Sequence, residues 1–372
     1  MHLDDLQTPA ALVDLDRLES NASRMAEKAM RLGVRLRPHV KTHKCIEAAR
    51  IQTDLHFGGL TVSTLAEAQA FAAGGFSDIT YAVPIAPQKI ANAADLHAEI
   101  GNLNLLVDHV DTVRAIEEMA TSRGITLPAY LEIDCGGGRS GVDPASDIAQ
   151  LLVRRLADSE VIDFRGLLTH AGHAYRARSR SEAYEVACEE RNLMTAIAAE
   201  VRDLGVEIPE VSVGSTPTLR AIDDLTGVTE ARPGNYVFFD AFQVAIGSCD
   251  LDDIAFSVLA TVISVDTEQG RSIVDAGALA LSQDPGPTHV EPECGFGLPV
   301  TLEDQHPLPG LRLIGLTQEH GTLVGPGVEA LHPGTRLRIV PNHSCLSAAC
   351  FDRYHVLRGN EVVEEWHPVR GW

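Results

Sequence analysis

Arg37-Pro38-His39-Val40-Lys41-Thr42-His43-Lys44-Cys45-Ile46 is the stretch on which the reading of this chain turns. It follows a short β-rich run at residues 34–37, so a buried strand ends at Pro38 and the next residues enter a loop. A lysine held just past a strand end is partly desolvated, which lowers its pKa and makes the amine a nucleophile toward aldehydes. Lys41 is placed for the carbonyl chemistry that pyridoxal phosphate demands. The plainer alternative for a run this basic is a solvated loop.

The same strand-then-loop pattern recurs downstream. Seven further β-rich runs, at 59–62, 79–82, 103–107, 129–133, 165–169, 211–213 and about 229–231, alternate with helical patterns such as 65–73, 110–122, 146–158 and 182–204. Alternation of this kind argues for parallel strands joined by crossover helices, and eight units predict an α/β fold, a (β/α)8 TIM-like barrel over residues 11–242. Beyond it, runs at 255–264, 272–275, 311–317, 336–340, 354–357 and 361–365 are separated by Gly, Pro and charged turns, and helical period fades. A C-terminal all-β domain over 243–372 is expected, joined by an N-terminal strand within residues 1–10 and by the strand-like run 9–14. Trp366, Trp372 and the Tyr354-His355 pair are expected to pack in cores or interfaces.

Composition narrows the function. No apolar run approaches the roughly 18 residues of a membrane helix. Met1-His2-Leu3-Asp4-Asp5-Leu6 lacks the basic-then-apolar order of a signal peptide, so a cytoplasmic location is expected. A net charge of -22 repels nucleic acid, and an anionic cofactor or substrate must then be held by local devices: an arginine, a metal or helix-start N–H groups. The seven cysteines are an odd number without framework spacing, so disulfides are not implied.

In a barrel the chemistry sits at the C-terminal ends of strands. After the fifth expected strand, Glu132-Ile133-Asp134-Cys135-Gly136-Gly137-Gly138-Arg139 combines glycines that admit close backbone approach with the fixed charge of Arg139. After the sixth, Thr169-His170-Ala171-Gly172-His173-Ala174-Tyr175 brings His170, His173 and the Tyr175 phenol to the same rim. The seventh and eighth strands lead into Gly214-Ser215-Thr216 and Arg232-Pro233-Gly234-Asn235-Tyr236, where barrels often bind phosphate. In the β domain, His343 and Cys345 of Pro341-Asn342-His343-Ser344-Cys345 are read as two residues apart at a strand end, sharing one face. An imidazole and a thiolate suit a divalent metal, zinc above all, with positions left for water or substrate. Gln318-Glu319-His320-Gly321 is a candidate to support it.

These motifs, with Thr8-Pro9-Ala10 and Val13-Asp14, resemble those of the fold-type III pyridoxal phosphate enzymes, whose barrel is that of alanine racemase, and within them the D-serine dehydratase and D-threonine aldolase group. The resemblance covers nearly the whole chain. It implies that Lys41 carries the cofactor, that Gly214, Ser215, Thr216, Gly234, Asn235 and Tyr236 hold its phosphate, and that His343 and Cys345 bind the metal. Arg139 and Tyr175 are further cofactor-binding candidates, and Lys41, His170, His173 and Tyr175 are the catalytic set. Aldolase members of the group carry a carboxylate where Cys345 stands, so the resemblance favours dehydration of a small D-3-hydroxy amino acid to a 2-oxo acid and ammonia. A metal-dependent aldolase and a non-catalytic pyridoxal phosphate carrier are the rival readings, and a homodimer is expected.

Overall fold

A computed structural model describes residues 1–54 and 56–372. The chain divides into two units. One comprises Met1–Arg24, Arg178–Arg180 and Asn235–Pro368, and the other Met25–Ala177, Ser181–Gly234 and Val369–Trp372. The strands in chain order are β1 (Ala10–Asp14), β2 (Arg35–Leu36), β3 (Leu60–Val62), β4 (Asp78–Pro84), β5 (Asn102–Val107) and β6 (Leu127–Glu132). They continue as β7 (Ile162–Leu168), β8 (Glu210–Val213), β9 (Glu230–Ala231), β10 (Phe256–Asp266), β11 (Arg271–Val274) and β12 (Gly297–Val300). The last are β13 (Arg312–Leu316), β14 (Gly321–Val324), β15 (Arg336–Pro341), β16 (Tyr354–Arg358) and β17 (Glu361–Trp366).

Strands β2 to β9 form one sheet in the order β2-β9-β8-β7-β6-β5-β4-β3. Every pair in it is parallel. The sheet curls until its two edges meet past the end of β2: His39 bridges Thr61, and the Thr61 N–H donates to the Pro38 carbonyl at 2.8 Å. All eight expected barrel strands are present. Most of their residues are buried, as in parallel strands covered by helices; β6 and β8 are buried throughout, their polar residues included. The crossover helices follow from local chemistry. In Asp147–Asp158, Ser146 caps the N-terminus by accepting from the Ala149 N–H at 3.3 Å, and Ala149, Leu152, Val153 and Leu156 make the buried stripe.

A layer of buried charge crosses the barrel interior. Arg37 donates through Nε to Glu230 at 2.7 Å and forks onto both oxygens of Asp78 at 2.9 and 3.0 Å. Its two acids hold the guanidinium even more firmly protonated than usual, against the cost of burial. Ser212 donates to the other oxygen of Glu230 at 2.6 Å, and the Arg232 guanidinium in turn donates to the Ser212 hydroxyl.

The other unit is built on a mixed sheet. Its path runs β13-β14-β11-β10-β1-β16-β17, and β15 bridges β10 and β12. The N-terminal strand β1 lies within this sheet, antiparallel to β10 and parallel to β16. Tyr354 and Trp366 are buried, and the Tyr354 ring meets Phe238 and Phe256 edge-on at 6.1 and 5.9 Å. Trp372 departs from expectation. It is 94% exposed, because the last residues run over the helical surface of the barrel unit and leave the indole in solvent. No helix among the described residues is long and apolar enough to cross a membrane.

The loop after β2 is set by His43. Its imidazole has no solvent access; Nδ1 accepts from the Cys45 N–H at 3.0 Å and Nε2 meets the Gln52 amide oxygen at 2.8 Å. Burial pushes its pKa down to about 4 from an ordinary 6.5. Below pH 6.5 the unfolded chain takes up a proton that the folded chain refuses, so this group removes stability progressively as pH falls from 6.5 to about 4, on the order of 3 kcal/mol in all. The melting temperature should therefore fall over that window, and His43→Asn should flatten the fall; a wild-type slope in the variant would exclude His43 as its source.

Candidate active site

Within the barrel unit, Lys41 lies on the 3-10 turn Val40–Thr42, whose N-cap His39 accepts through Nδ1 from the Lys41 N–H at 3.4 Å. Lys41 lines an enclosed cavity with His39, Glu132, Arg139, His170 and Arg232; Ala82, Leu168 and Gly214 complete its wall. Lys44 is committed elsewhere. Its ammonium pairs with the fully buried Glu67 at 2.8 Å, and its backbone is left-handed at φ 54°. The two lysines of the opening motif are thus separated by the turn itself: one faces the cavity, the other braces the loop.

Three cations, Lys41, Arg139 and Arg232, face one carboxylate, Glu132, so the cavity is locally positive in a strongly acidic protein. That suits an anionic cofactor. Both histidines in the wall are held neutral. Burial, with Lys41 next, pushes His170 down to about 3, and the same two causes hold His39 well below the usual histidine range. His170 Nδ1 lies 3.0 Å from the Gly214 carbonyl, which can only accept, so Nδ1 carries the proton and Nε2 is left as a lone-pair acceptor. Arg232 is buried, and its two nitrogens donate to the Ser212 hydroxyl and the Thr169 carbonyl, which fixes the plane of the guanidinium.

The expected phosphate segments are buried at the ends of β8 and β9. The glycines are required by space: a Cβ on Gly234 would sit 2.7 Å from the His39 carbonyl, and Gly214 has φ 116°. The Gly214 N–H donates to Glu190 at 3.0 Å and the Ser215 N–H to the Thr218 hydroxyl at 2.9 Å, in a capping box over the short helix Thr216–Ala221. Neither N–H points away from the protein. The other segment opens the 3-10 turn Asn235–Val237, whose first N–H groups precede its internal hydrogen bonds. Thr216 and Tyr236 are buried in their turns.

His173 and Tyr175 share the 3-10 turn Gly172–Arg176 and stand outside the cavity wall. His173 packs against the glycine loop, its ring nitrogen 3.8 Å from where a Cβ on Gly137 would lie. Its buried Nδ1 has no partner among the described residues.

In the other unit, His343 and Cys345 are brought together differently from the expected strand alternation. His343 is the N-cap of the short helix Ser344–Ala348, and Cys345 lies in its first turn. The two side chains hydrogen-bond each other. Asp284 takes the other role: its Oδ2 lies 3.2 Å from His343 Nδ1, an arrangement that fixes the ring and leaves Nε2 to a metal. Burial opposes a charge on His343, but Cys345, Asp284 and Asp240 outweigh it and hold the imidazole up at about 11. No group of three or more His, Cys, Asp or Glu side chains suited to a metal occurs among the described residues. The donor set fits a soft or borderline divalent ion held by two protein ligands, with the remaining positions open. Gln318, Glu319 and His320 instead lie in the exposed turn between β13 and β14, with the Gln318 carbonyl accepting from the Leu279 N–H at 3.1 Å, and Gly321 begins β14.

Comparison with known proteins agrees with both halves. The alanine racemase N-terminal domain matches residues 13–241, and the serine dehydratase domain matches residues 255–357. The chain belongs to the D-serine dehydratase family of fold-type III pyridoxal phosphate enzymes. It is 40% identical to the D-threo-3-hydroxyaspartate dehydratase of Delftia sp. (strain HT23), over 99% of this chain and 98% of that one. It is 34% identical to the D-serine dehydratase of Dictyostelium discoideum, over 100% and 98% of the two chains. At 30% identity it also matches an Arthrobacter D-threonine aldolase, over 99% and 93%. Solved structures of D-threo-3-hydroxyaspartate dehydratase superpose with TM-scores of 0.96 for a histidine-to-alanine mutant and 0.95 for a cysteine-to-alanine mutant in the metal-free form. The first covers 100% of this chain and 97% of that one, the second 100% of both. The two mutated positions are two residues apart. An alanine racemase of Clostridium difficile 630, 15% identical, shares the fold at a TM-score of 0.70 over 96% of this chain and 98% of that one.

Sequence reasoning left out of its site list His39 and Arg232, although both stood in the quoted motifs. It missed Glu190, Asp240 and Asp284 outright. Glu190 looks in sequence like one more charge on the helix Arg180–Asp203, yet one oxygen of it accepts from the N–H of Ala171 at 3.1 Å and of Gly214 at 3.0 Å. It ties the two loops that carry His170 and Gly214. Glu190→Leu should cost about 2–4 kcal/mol in urea denaturation by orphaning two buried donors, whereas Glu190→Gln, which keeps the accepting oxygen, should stay within about 1 kcal/mol of wild type. Equal losses would assign the effect to charge.

Proposed function

We propose that this protein is a pyridoxal phosphate- and metal-dependent dehydratase that converts a D-3-hydroxy amino acid, such as D-serine or D-threo-3-hydroxyaspartate, to a 2-oxo acid and ammonia. The observation that carries the reading is the His343–Cys345 pair braced by Asp284, in a chain whose opening motif sets Lys41, and not Lys44, in the cavity wall. Pyridoxal phosphate, when bound, supplies an electron sink for charge at Cα, and a divalent metal, zinc in this proposal, supplies a Lewis acid toward the β-hydroxyl.

The chain's own residues do the rest. Lys41 is the cofactor-bearing amine and, once released, the base that takes the Cα proton. Arg232 and Arg139 supply fixed positive charge for the anionic ring and carboxylate substituents, and Thr216 with the backbone at Gly234–Tyr236 holds the phosphate, the Gly214 and Ser215 N–H groups being spent on Glu190 and Thr218. His170 offers a neutral acceptor at Nε2, so it can orient or relay a proton without adding a fourth positive charge. Loss of hydroxide is the demanding step, and His343 and Cys345 would hold the ion, which would supply the Lewis acidity that lowers its basicity. A single lysine base reaches the Cα hydrogen from one face only, so one enantiomer reacts; the D configuration is the one carried by the names of the similar dehydratases. His173 and Tyr175 remain candidates for substrate contacts through the glycine loop. The protein is proposed to act in the cytoplasm as a homodimer.

The aldolase reading keeps one supporting observation, the unpartnered Nδ1 of His173, a base that could take a β-hydroxyl proton. Products separate the two. D-Serine and D-threo-3-hydroxyaspartate should give 2-oxo acid with stoichiometric ammonia and their L-forms none; glycine plus an aldehyde, without oxo acid, would select the aldolase.

Borohydride should fix the cofactor to Lys41, and Lys41→Ala should abolish turnover; an adduct on Lys44 would overturn the assignment. Chelation, or His343→Ala assayed in metal-free buffer, should cut dehydration at least about 100-fold while the cofactor's absorbance persists. Full activity in either case would remove the metal from the reaction.

A further inference from the structure

We propose that Asn235 is a positioning residue for the Cys345 thiolate, and that it thereby sets the affinity of the metal site; the inference rests on the reading of His343 and Cys345 as metal ligands. Asn235 stood among the expected phosphate-binding residues, but its side chain is spent elsewhere. Its Nδ2 lies 2.7 Å from Asp240 Oδ2, 2.9 Å from the Ser344 hydroxyl and 3.8 Å from Cys345 Sγ. Asp240 is an acceptor only, so the amide must present nitrogen, and not oxygen, to this cluster.

The buried carboxylate is itself pinned. Asp240 Oδ1 accepts from the Gln243 N–H at 2.9 Å, and Oδ2 also accepts from the Ser344 N–H at 3.0 Å. Asp240, Asn235 and Ser344 are each at most 4% exposed. The geometry is bought at a cost, since the Asn235 amide oxygen is buried without a partner among the described residues. A site that needed only a filler would not retain an unmatched oxygen in order to aim its nitrogen at an anion and a sulfur. The contact between the Asn235 amide nitrogen and sulfur restricts where Sγ can sit, and a fixed sulfur loses less freedom when an ion binds. The helix Ser344–Ala348 has only five residues, so its own geometry holds Cys345 weakly.

The test is metal affinity of the cofactor-loaded protein, measured by zinc competition against a chromogenic chelator, with cobalt(II) substitution reporting the sulfur-to-metal charge-transfer band. Asn235→Ala should weaken zinc binding roughly 10- to 100-fold and shift that band. Asn235→Asp, which keeps the shape and loses the N–H donors, should weaken it at least as much, and covers the case in which the alanine variant does not fold. Ser344→Ala removes a hydroxyl from the same cluster without removing the amide's reach to sulfur, and should leave the band in place. In a Cys345→Ser background Asn235→Ala should add little further loss. Wild-type zinc affinity and an unmoved band in the Asn235 variants, with His343→Ala weakened, would overturn this role while leaving the metal site standing. Unchanged affinity in His343→Ala would overturn the metal reading and this inference with it.

Discussion

An arginine with almost no access to water sits inside the barrel, and much of the rest is arranged to make that tolerable. Arg37 is 1% exposed, and an unpaired guanidinium there would cost several kcal/mol. Glu230 and Asp78 remove that cost from β9, beside β2, and from β4, next to the far edge that closes back on the chain past β2. Ser212 then satisfies Glu230, and Arg232 satisfies Ser212. A chain of obligatory hydrogen bonds thus runs from the barrel interior to a cation in the cavity wall. The cavity inherits its rigidity from charges that cannot be left unpaired.

That rigidity has an electrostatic use. Burial first, and Lys41 next, keep His39 and His170 neutral, so the cavity offers a neutral acceptor next to a lysine. In an acidic chain this small positive volume is what separates an anionic cofactor from the repulsive field outside. Glu190 adds the geometric counterpart, holding two loop backbones at one oxygen.

The His343–Cys345 pair of the β unit, proposed here as a metal site, poses a different problem, that of holding an ion with few ligands. Two donors from one helical turn supply nitrogen and sulfur, and Asp284, Asp240 and Asn235 hold those donors in place from outside. Such an arrangement leaves coordination positions for a reactant, at the price of depending on the residues behind the ligands.

Much of the fold was legible because it is written in period and punctuation. Strand-and-helix alternation, Pro38 after the first barrel strand and the glycine-opened ends of the seventh and eighth are local signals, and local signals survive in a one-dimensional string. The segments around Lys41 and around His343 and Cys345 stood out for the same reason, each being compact in sequence, and their roles belong to the proposed function. Three things were decided only in three dimensions. Lys44 was separated from Lys41 because Glu67, on a helix beyond the next strand, claims its ammonium. Asn235 was drawn from a phosphate segment into the Cys345 cluster because a buried amide must satisfy its hydrogens wherever acceptors lie. Glu190 and Asp284 became part of their sites through hydrogen bonds spanning 24 and 59 residues. Sequence determines which residues can donate, accept or carry charge; which of them meet depends on burial, and burial is a property of the folded chain.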